Sequence, residues 1–339
     1  MRSKGLRIRR IALTAALAAV ALASFTGAAP AAKDGTKALG DLTIAYQPGI
    51  GYTPLILMKR LNLIEKKYPG TKVDWKVLSS GTPITNGVIS GDIDIGAVGI
   101  GPFLTGWARG VGWKIVSPLN LGDLWLMAKD PNIRTIADLK GKRIATPTNT
   151  SIQAVALRKM AQVKLGDAHA LDSGLIAMDH PDGLQALMTG QIDAHFTSAP
   201  FQFQEKTRGA HVIARSYQYF GPHSFLVTVA QQKFYDENTA FARWFYGQMG
   251  AMEKMIEKNP AKVAHILQDD AGGTPTWRQF KQWLAVKVPN SKMRALEFST
   301  RPVGLMRTAR FMVNTQQLTK LPSGWKELVF PPVLREKGS

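Results

Sequence analysis

The sequence predicts an α/β fold of two similar lobes, each a parallel or mixed sheet flanked by helices, with a ligand cleft between them. Three observations carry this expectation. The chain repeats itself once, short apolar strands alternate with helices, and 339 residues suffice for two domains of ordinary size. The repeat relates residues 87–110, GVISGDIDIGAVGIGPFLTGWARG, to residues 186–209, ALMTGQIDAHFTSAPFQFQEKTRG. Gly91-Asp92-Ile93-Asp94 answers Gly190-Gln191-Ile192-Asp193, and Arg109-Gly110 answers Arg208-Gly209, all 99 residues apart. Gly101-Pro102-Phe103 answers Ala199-Pro200-Phe201 with a shift of one residue. Two copies are too few for a solenoid and suit two facing lobes.

Each copy reads as helix, turn, strand, turn, helix. Gly91 stops an apolar helical stretch. Ile93, Ile95, Ala97 and Val98 form a short run suited to a strand covered on both faces. Pro102 sits where a new helix begins, because a missing N–H costs little in a first turn. In parallel sheets of this kind a ligand sits beyond the carboxyl ends of the strands. Leu42–Tyr46 reads as the first strand, Gln47–Tyr52 as a turn-rich loop, and Thr53-Pro54 as a helix start. Val73–Leu78 is a second strand. The following Ser79-Ser80-Gly81-Thr82-Pro83 offers hydroxyls and free amides at a helix start, a cradle for an anion.

Lys114–Pro118 and Leu124–Lys129 read as strands, and Asp130-Pro131-Asn132 as the crossover to the second lobe. After the strand Arg143–Thr146, Pro147-Thr148-Asn149-Thr150-Ser151 opens a helix from Ile152 and mirrors the first hydroxyl-rich turn. Leu175–Met178 and Ile192–Phe196 are further strands, and Phe225–Ala230 returns the chain to the first lobe. The expected organisation is a leader over 1–28, a first lobe over 33–129, a second over 130–224, and a return with C-terminal helices over 225–339. Phe241, Trp244, Phe245, Met249, Met252, Met255 and Ile256 recur at helical spacing and read as the core face of an amphipathic helix. The tail from Lys320 reads as irregular.

The first 28 residues have the order of a secretory signal: Arg2, Lys4, Arg7, Arg9 and Arg10, then the apolar run Ile11–Phe25, then small residues with cleavage expected after Ala28. The run is short for a membrane span. Arg9-Arg10 alone is a weak twin-arginine match, so the general secretory route is expected. The chain has no cysteine, which excludes disulfides, thiol chemistry and a lipid-modified N-terminal cysteine. The formal charge is +19; taking away the five leader bases leaves +14. The bases are scattered and export removes the chain from nucleic acid, so no nucleic-acid partner is expected.

LTIAYQPGIGYTPLILMKRLNLIEKKYP, SSGTPITNGVISGDIDIGAVGIGPFLTGWARG and IADLKGKRIATPTNTS together resemble periplasmic solute-binding proteins of ABC importers. The likeness is to the nitrate/sulfonate/taurine branch, related to the thiamine-pyrimidine binding proteins, and covers roughly residues 40–230. It implies the type II-like periplasmic-binding-protein fold, two crossovers, and closure over a small solute by a monomer that then docks on an inner-membrane permease with its ATPase. By position it implies ligand contacts from Gln47, Gly51 and Tyr52, from Ser79, Ser80, Gly81 and Thr82, and from Gly99, Ile100, Gly101 and Pro102. In the second lobe it implies Thr148, Asn149, Thr150 and Ser151, then Ser198, Ala199, Pro200 and Phe201. Ile100 and Gly101 stand where many relatives carry an acid and a hydroxyl, which makes this stretch less polar. Trp125, Tyr52, Phe103, Phe201 and His223 are candidates to shape a pocket for a larger organic or aromatic anion.

No cofactor, metal or catalytic group is expected. The six histidines, His169, His180, His195, His211, His223 and His265, show no metal-binding spacing, and no G-x-S-x-G or phosphate-binding loop occurs. His195 reads as structural, whereas His180 and His223 fall in loops where they could bond a ligand. Asp92 and Asp94, echoed by Asp193, read as turn-stabilising residues. A pyrimidine-synthase-like enzyme on the same fold needs a cysteine-rich motif that this sequence lacks. A sensory domain would need a fused membrane or DNA-binding region, or a separate receptor. The expected function is therefore capture of a small organic anion, sulfonate-like and potentially aromatic, in a periplasmic protein; a thiamine-pyrimidine-type heterocycle is the alternative ligand.

Overall fold

The computed structural model describes residues 38–268 and 276–339; the expected leader lies outside them. Two mixed sheets organise the chain. The first runs in the order β11-β4-β10-β3-β1-β2. Its strands are β1 (Asp41–Tyr46), β2 (Lys72–Val77), β3 (Ile95–Gly99), β4 (Trp113–Gly122), β10 (Ser224–Gln231) and β11 (Leu296–Phe298). The second runs β7-β6-β8-β5-β9. It holds β5 (Trp125–Ala128), β6 (Ile144–Thr146), β7 (Leu175–Ala177), β8 (Ala194–Thr197) and β9 (His211–Arg215).

The two sheets are built alike. β1 lies between parallel β2 and β3, as β6 lies between parallel β7 and β8. An antiparallel strand follows in each, β10 beside β3 and β5 beside β8, and then β4 or β9. The inserted strand of the first sheet, β10, returns to it only after all of the second sheet, whereas β5 opens the run of strands that builds the second. The short runs IGAVG and AHFT are buried nearly throughout, as strands covered on both faces require.

The repeat has a local physical cause. Gly91 and Gly190 end their helices at φ 87° and 79°, in the left-handed region that glycine adopts without strain. The chain then turns so that Ile93 N–H donates to the Gly87 carbonyl and Ile192 N–H to the Ala186 carbonyl. Each repeat aspartate closes a reciprocal pair. Thr43 N–H donates to Asp94 Oδ2 at 2.8 Å while Asp94 N–H donates to the Thr43 carbonyl at 3.0 Å. Arg143 N–H donates to Asp193 Oδ2 at 2.8 Å while Asp193 N–H donates to the Arg143 carbonyl at 3.0 Å. These aspartates fix the register at which the third parallel strand enters beside the first.

The crossover lies earlier than the sequence predicts. Trp125–Ala128 pairs with β8 and β9, so the chain changes sheets between Gly122 and Trp125 rather than at Asp130. Asp130 instead forms a surface turn, accepting from Asn132 N–H at 2.9 Å. The apolar run at 124–129 gave no sign of which sheet it joins, because strand pairing is non-local. The two crossovers are tied together. Leu124 N–H donates to Ser216 Oγ at 3.0 Å, Ser216 N–H returns to the Leu124 carbonyl at 2.8 Å, and buried Asp123 Oδ1 accepts from Tyr217 N–H at 3.1 Å.

The helix Thr239–Lys258 buries Phe241, Phe245, Met249, Met252 and Ile256, with Trp244 and Met255 half-buried, so the aromatic and methionine stripe is core. The tail is mostly irregular but anchored: the Phe330 ring stacks on Tyr235 at 4.1 Å and Val329 bridges Ile115. No helix among the described residues is long and apolar enough to cross a membrane.

Asp94→Ala leaves the Thr43 amide without its acceptor. Loss of about 1–3 kcal/mol is expected from a partner removed at a half-buried amide, measured by urea denaturation, with β1–β3 register peaks in amide exchange weakened first.

Candidate functional site

A cleft of about 530 Å³ of empty space, part of it open to solvent, lies at the carboxyl ends of the parallel strands of both sheets. The loop after β1 supplies Gln47, Pro48, Gly49, Gly51 and Tyr52. The helix after β2 (Gly81–Ser90) begins at the cleft with Gly81, and the helix after β3 (Ile100–Ala108) brings Gly99 and Pro102. Opposite them, the helix after β6 (Ile152–Leu165) brings Thr148, Ser151, Ile152 and Gln153. The helix after β7 (His180–Thr189) begins with His180, and Ser198 and Ala199 follow β8. Phe225 and Leu226 of β10 close the floor.

Among the described residues, no Lys, Arg, Asp or Glu lines this cleft. What the cleft presents is four helix N-termini together with neutral hydroxyl, amide, imidazole and phenol groups. Each N-terminus contributes about 0.3–1 kcal/mol toward an anion. Burial raises the Tyr52 phenol pKa, so Tyr52 stays neutral.

Of the sequence-predicted residues, Gln47, Gly51, Tyr52, Gly81, Gly99, Pro102, Thr148, Ser151 and Ser198 are brought together here. The rest lie elsewhere. Ser79 and Thr82 are exposed and Ser80 half-buried beside Gly81, so that turn reaches the cleft only through its glycine. Ile100 packs into the core. Gly101 touches the other lobe instead of the cleft: a Cβ there would stand 2.2 Å from the Thr150 carbonyl oxygen. Asn149 is exposed, and its carbonyl accepts from Arg158 Nη1 at 2.8 Å. Thr150 Oγ1 pairs with Thr148 Oγ1 at 3.3 Å. Pro200 is buried beneath the cleft wall, and the Phe201 ring lies behind His180 at 5.6 Å.

His223 does not line the cleft either. It is buried against Tyr217 and Phe220, bonds the Gly221 carbonyl through Nδ1 at 2.9 Å, and burial lowers its pKa to about 4. Trp125 packs edge-on to Phe203 under the Arg215 guanidinium, and Phe103 packs on Trp113. Aromatic residue type alone did not separate these core rings from pocket rings.

The second-lobe loop is held from behind. Arg158 bonds Asp172 through Nε at 2.9 Å and Gln317 Oε1 through Nη1 at 2.9 Å, besides the Asn149 carbonyl. Ser151 Oγ accepts from Ala154 N–H at 3.2 Å and caps the helix. Sequence reasoning missed Gln153, which sits inside the first helical turn without a motif. His180, singled out as a loop histidine, stands instead at the first position of a helix facing the cleft.

A hydrogen-bonded chain leads from these two residues into the core. Gln153 Nε2 lies 3.1 Å from His180 Nε2, His180 Nδ1 lies 3.0 Å from His195 Nε2, and His195 Nδ1 lies 2.6 Å from Glu205 Oε1. His195 and Glu205 are fully buried. Burial raises the Glu205 pKa to about 9 and lowers that of His195 to about 3. Burial, then the neighbouring His195, keeps His180 below the usual imidazole range.

Residues 36–268 match the NMT1-like family. The chain is 31% identical over 182 residues to an Escherichia coli (strain K12) protein assigned to aliphatic sulfonate binding, covering 52% of this chain and 54% of that protein. It is 28% identical over 163 residues to the taurine-binding periplasmic protein of the same strain, covering 47% and 48%. The matches thus span about half the length of these relatives. In structure the chain is similar to the alkanesulfonate-binding protein SsuA from Xanthomonas axonopodis pv. citri bound to MOPS, at 22% identity and TM-score 0.69, covering 84% of this chain and 96% of that one. It is likewise similar to the periplasmic aliphatic sulphonate binding protein SsuA from Escherichia coli, at 17% identity and TM-score 0.66, covering 88% and 99%. At these identities the shared property is the two-lobed fold.

Two outcomes follow from the geometry. Gly101→Ala overpacks the lobe contact by about 1–3 kcal/mol, so the helix starts at Ile100 and Ile152 are expected to move apart, seen as a larger radius of gyration in solution scattering. Glu205 holds a proton in the folded state that the unfolded chain releases near 4.5, so its contribution favours folding below that value and is lost as pH rises toward about 9. His195 acts oppositely between about 3 and 6.5. Between 4.5 and 6.5 the two oppose each other; above 6.5 only the Glu205 slope remains. Urea denaturation between pH 7 and 9 should show stability falling by up to about 1.4 kcal/mol per pH unit, and Glu205→Gln should remove that slope.

Proposed function

The chain belongs to the NMT1-like family, and on that premise we propose that it is the solute-capturing component of an ABC importer, binding a small organic anion of the sulfonate class and releasing it unaltered. The observation that carries this reading is the cleft itself. Helix N-termini from both sheets converge on it, neutral donors line it, and no acid opposes an anion. The sulfonate and taurine binding named for its relatives supports the same class.

The working cycle is closure without chemistry. A solute touching the Gln47–Tyr52 loop and the Thr148–Gln153 segment bridges the lobes, and its extra contacts favour the closed form. A shift from 1:99 to 99:1 needs about 10⁴-fold tighter binding to the closed state. On this reading the protein is exported by a cleaved leader through the general secretory route, acts as a monomer in the periplasm, and delivers its solute to an inner-membrane permease with its ATPase. A neutral thiamine-pyrimidine-type heterocycle is the second reading, favoured by the lack of any cationic side chain in the cleft.

Calorimetry and thermal shift with taurine, hexanesulfonate, MOPS, nitrate, benzoate and a hydroxymethylpyrimidine test the proposal. One sulfonate should bind per chain and, at 100 times its dissociation constant, stabilise by about 2.7 kcal/mol. Binding of the pyrimidine alone would favour the second reading, and turnover of any compound would overturn both. Thr148→Ala should weaken binding about 2- to 12-fold, the loss of one hydrogen bond, while Ser80→Ala leaves affinity unchanged.

A further inference from the structure

The Gln153–His180–His195–Glu205 chain has only two self-consistent directions. If Glu205 is ionised, each histidine donates inward: His195 Nδ1–H to Glu205 Oε1 and His180 Nδ1–H to His195 Nε2. His180 Nε2 then accepts from the Gln153 amide NH₂, whose oxygen is turned to the cleft. If Glu205 carries a proton on Oε1, every bond reverses. Its O–H donates to His195 Nδ1, His195 Nε2–H to His180 Nδ1, and His180 Nε2–H to the Gln153 oxygen, leaving the amide NH₂ toward the cleft. The Gln153 amide has the same shape either way round, so the chain decides its orientation.

The surroundings favour the second direction. Glu205 Oε2 is buried without a partner, where an ionised oxygen would be left unsolvated. Arg208, an exposed residue on its own helix, is the charged group acting on Glu205. The charges on packed elements turn elsewhere. Arg215 of β9 reaches Asp123 and the Trp125 ring, His211 the Ile133 carbonyl, and Lys206 the Trp125 ring.

We propose that Gln153 and His180 together determine which solute the cleft accepts, and that a proton resident on Glu205, relayed as hydrogen-bond direction through His195, makes that wall a donor surface selecting acceptor-rich anions. Gln153 and His180 line the cleft; His195 and Glu205 are positioning residues that act through them. The inference rests on the importer reading for its ligand class and adds to the helix N-termini a side-chain source of anion preference in a wall with no cation.

The test separates the two. In ¹⁵N-histidine-labelled protein without ligand, long-range ¹H–¹⁵N spectra at pH 7 should show His180 and His195 as Nε2–H tautomers. Glu205→Gln, whose amide also donates to His195, should retain both tautomers and the wild-type affinity for hexanesulfonate. Glu205→Leu should lose the defined tautomers and at least about tenfold in affinity, a loss of 1.4 kcal/mol. Wild-type affinity should also fall as pH rises through about 9, while the Glu205→Gln profile stays flat. Nδ1–H tautomers in the wild type, or equal hexanesulfonate affinity in wild type and a folded Glu205→Leu, overturn the proposal. If Glu205→Leu fails to fold, the wild-type spectrum and the Glu205→Gln pH profile decide. Nε2–H tautomers without hexanesulfonate binding overturn the importer reading and leave the hydrogen-bond direction standing.

Discussion

The first sheet is completed by a strand that returns to it only after the whole second sheet has been made. β10 fills the place between β3 and β4, and β5 fills the place between β8 and β9. The first sheet cannot close its ladder without β10, so the chain must leave that lobe, build the other and come back, and the lobes cannot drift apart as independent domains. What remains free is rotation about the two crossovers, where Leu124 and Ser216 hold each other by reciprocal bonds and Asp123 caps the start of the returning segment. The cleft lies at the strand ends beyond this joint, so a small change of angle there would widen or narrow it.

That constraint shapes the chemistry available to the site. The positions facing the cleft are helix starts that follow parallel strands, and both halves supply them because both halves share one topology. A chain of strong positive charge thus keeps charged side chains out of the cleft lining and leaves recognition to backbone donors, hydroxyls, an amide and an imidazole. On the proposed reading such groups would hold an anion without the desolvation penalty of a buried cation, and release would not require breaking an ion pair.

The duplicated architecture was legible in the sequence because its determinants are local. Gly91 and Gly190 mark helix ends, and Asp94 and Asp193 mark the strand entries that follow. The position of the crossover was not legible, since an apolar run such as 125–128 fits either sheet until its partners are known. At the site, glycine and hydroxyl patterns found the segments but not always the atoms. Gly81 reaches the cleft while Ser79 and Thr82 face solvent, and Gly101 serves lobe contact. His223 and His180 looked equivalent as loop histidines, and only burial among Tyr217 and Phe220 separates the first from the second.

The late return of β10 also orders folding as the polypeptide emerges, N-terminus first. All five strands of the second sheet lie between Trp125 and Arg215, so that half holds its complete set of hydrogen-bonding partners as soon as it has emerged. The first half emerges earlier yet cannot finish, because β3 and β4 never pair directly and wait for β10, with β11 arriving later still. During that interval two strand edges stand bare. The half that emerges second is therefore the one able to mature first, and the half that emerges first is the one that most needs shielding from other unfolded chains.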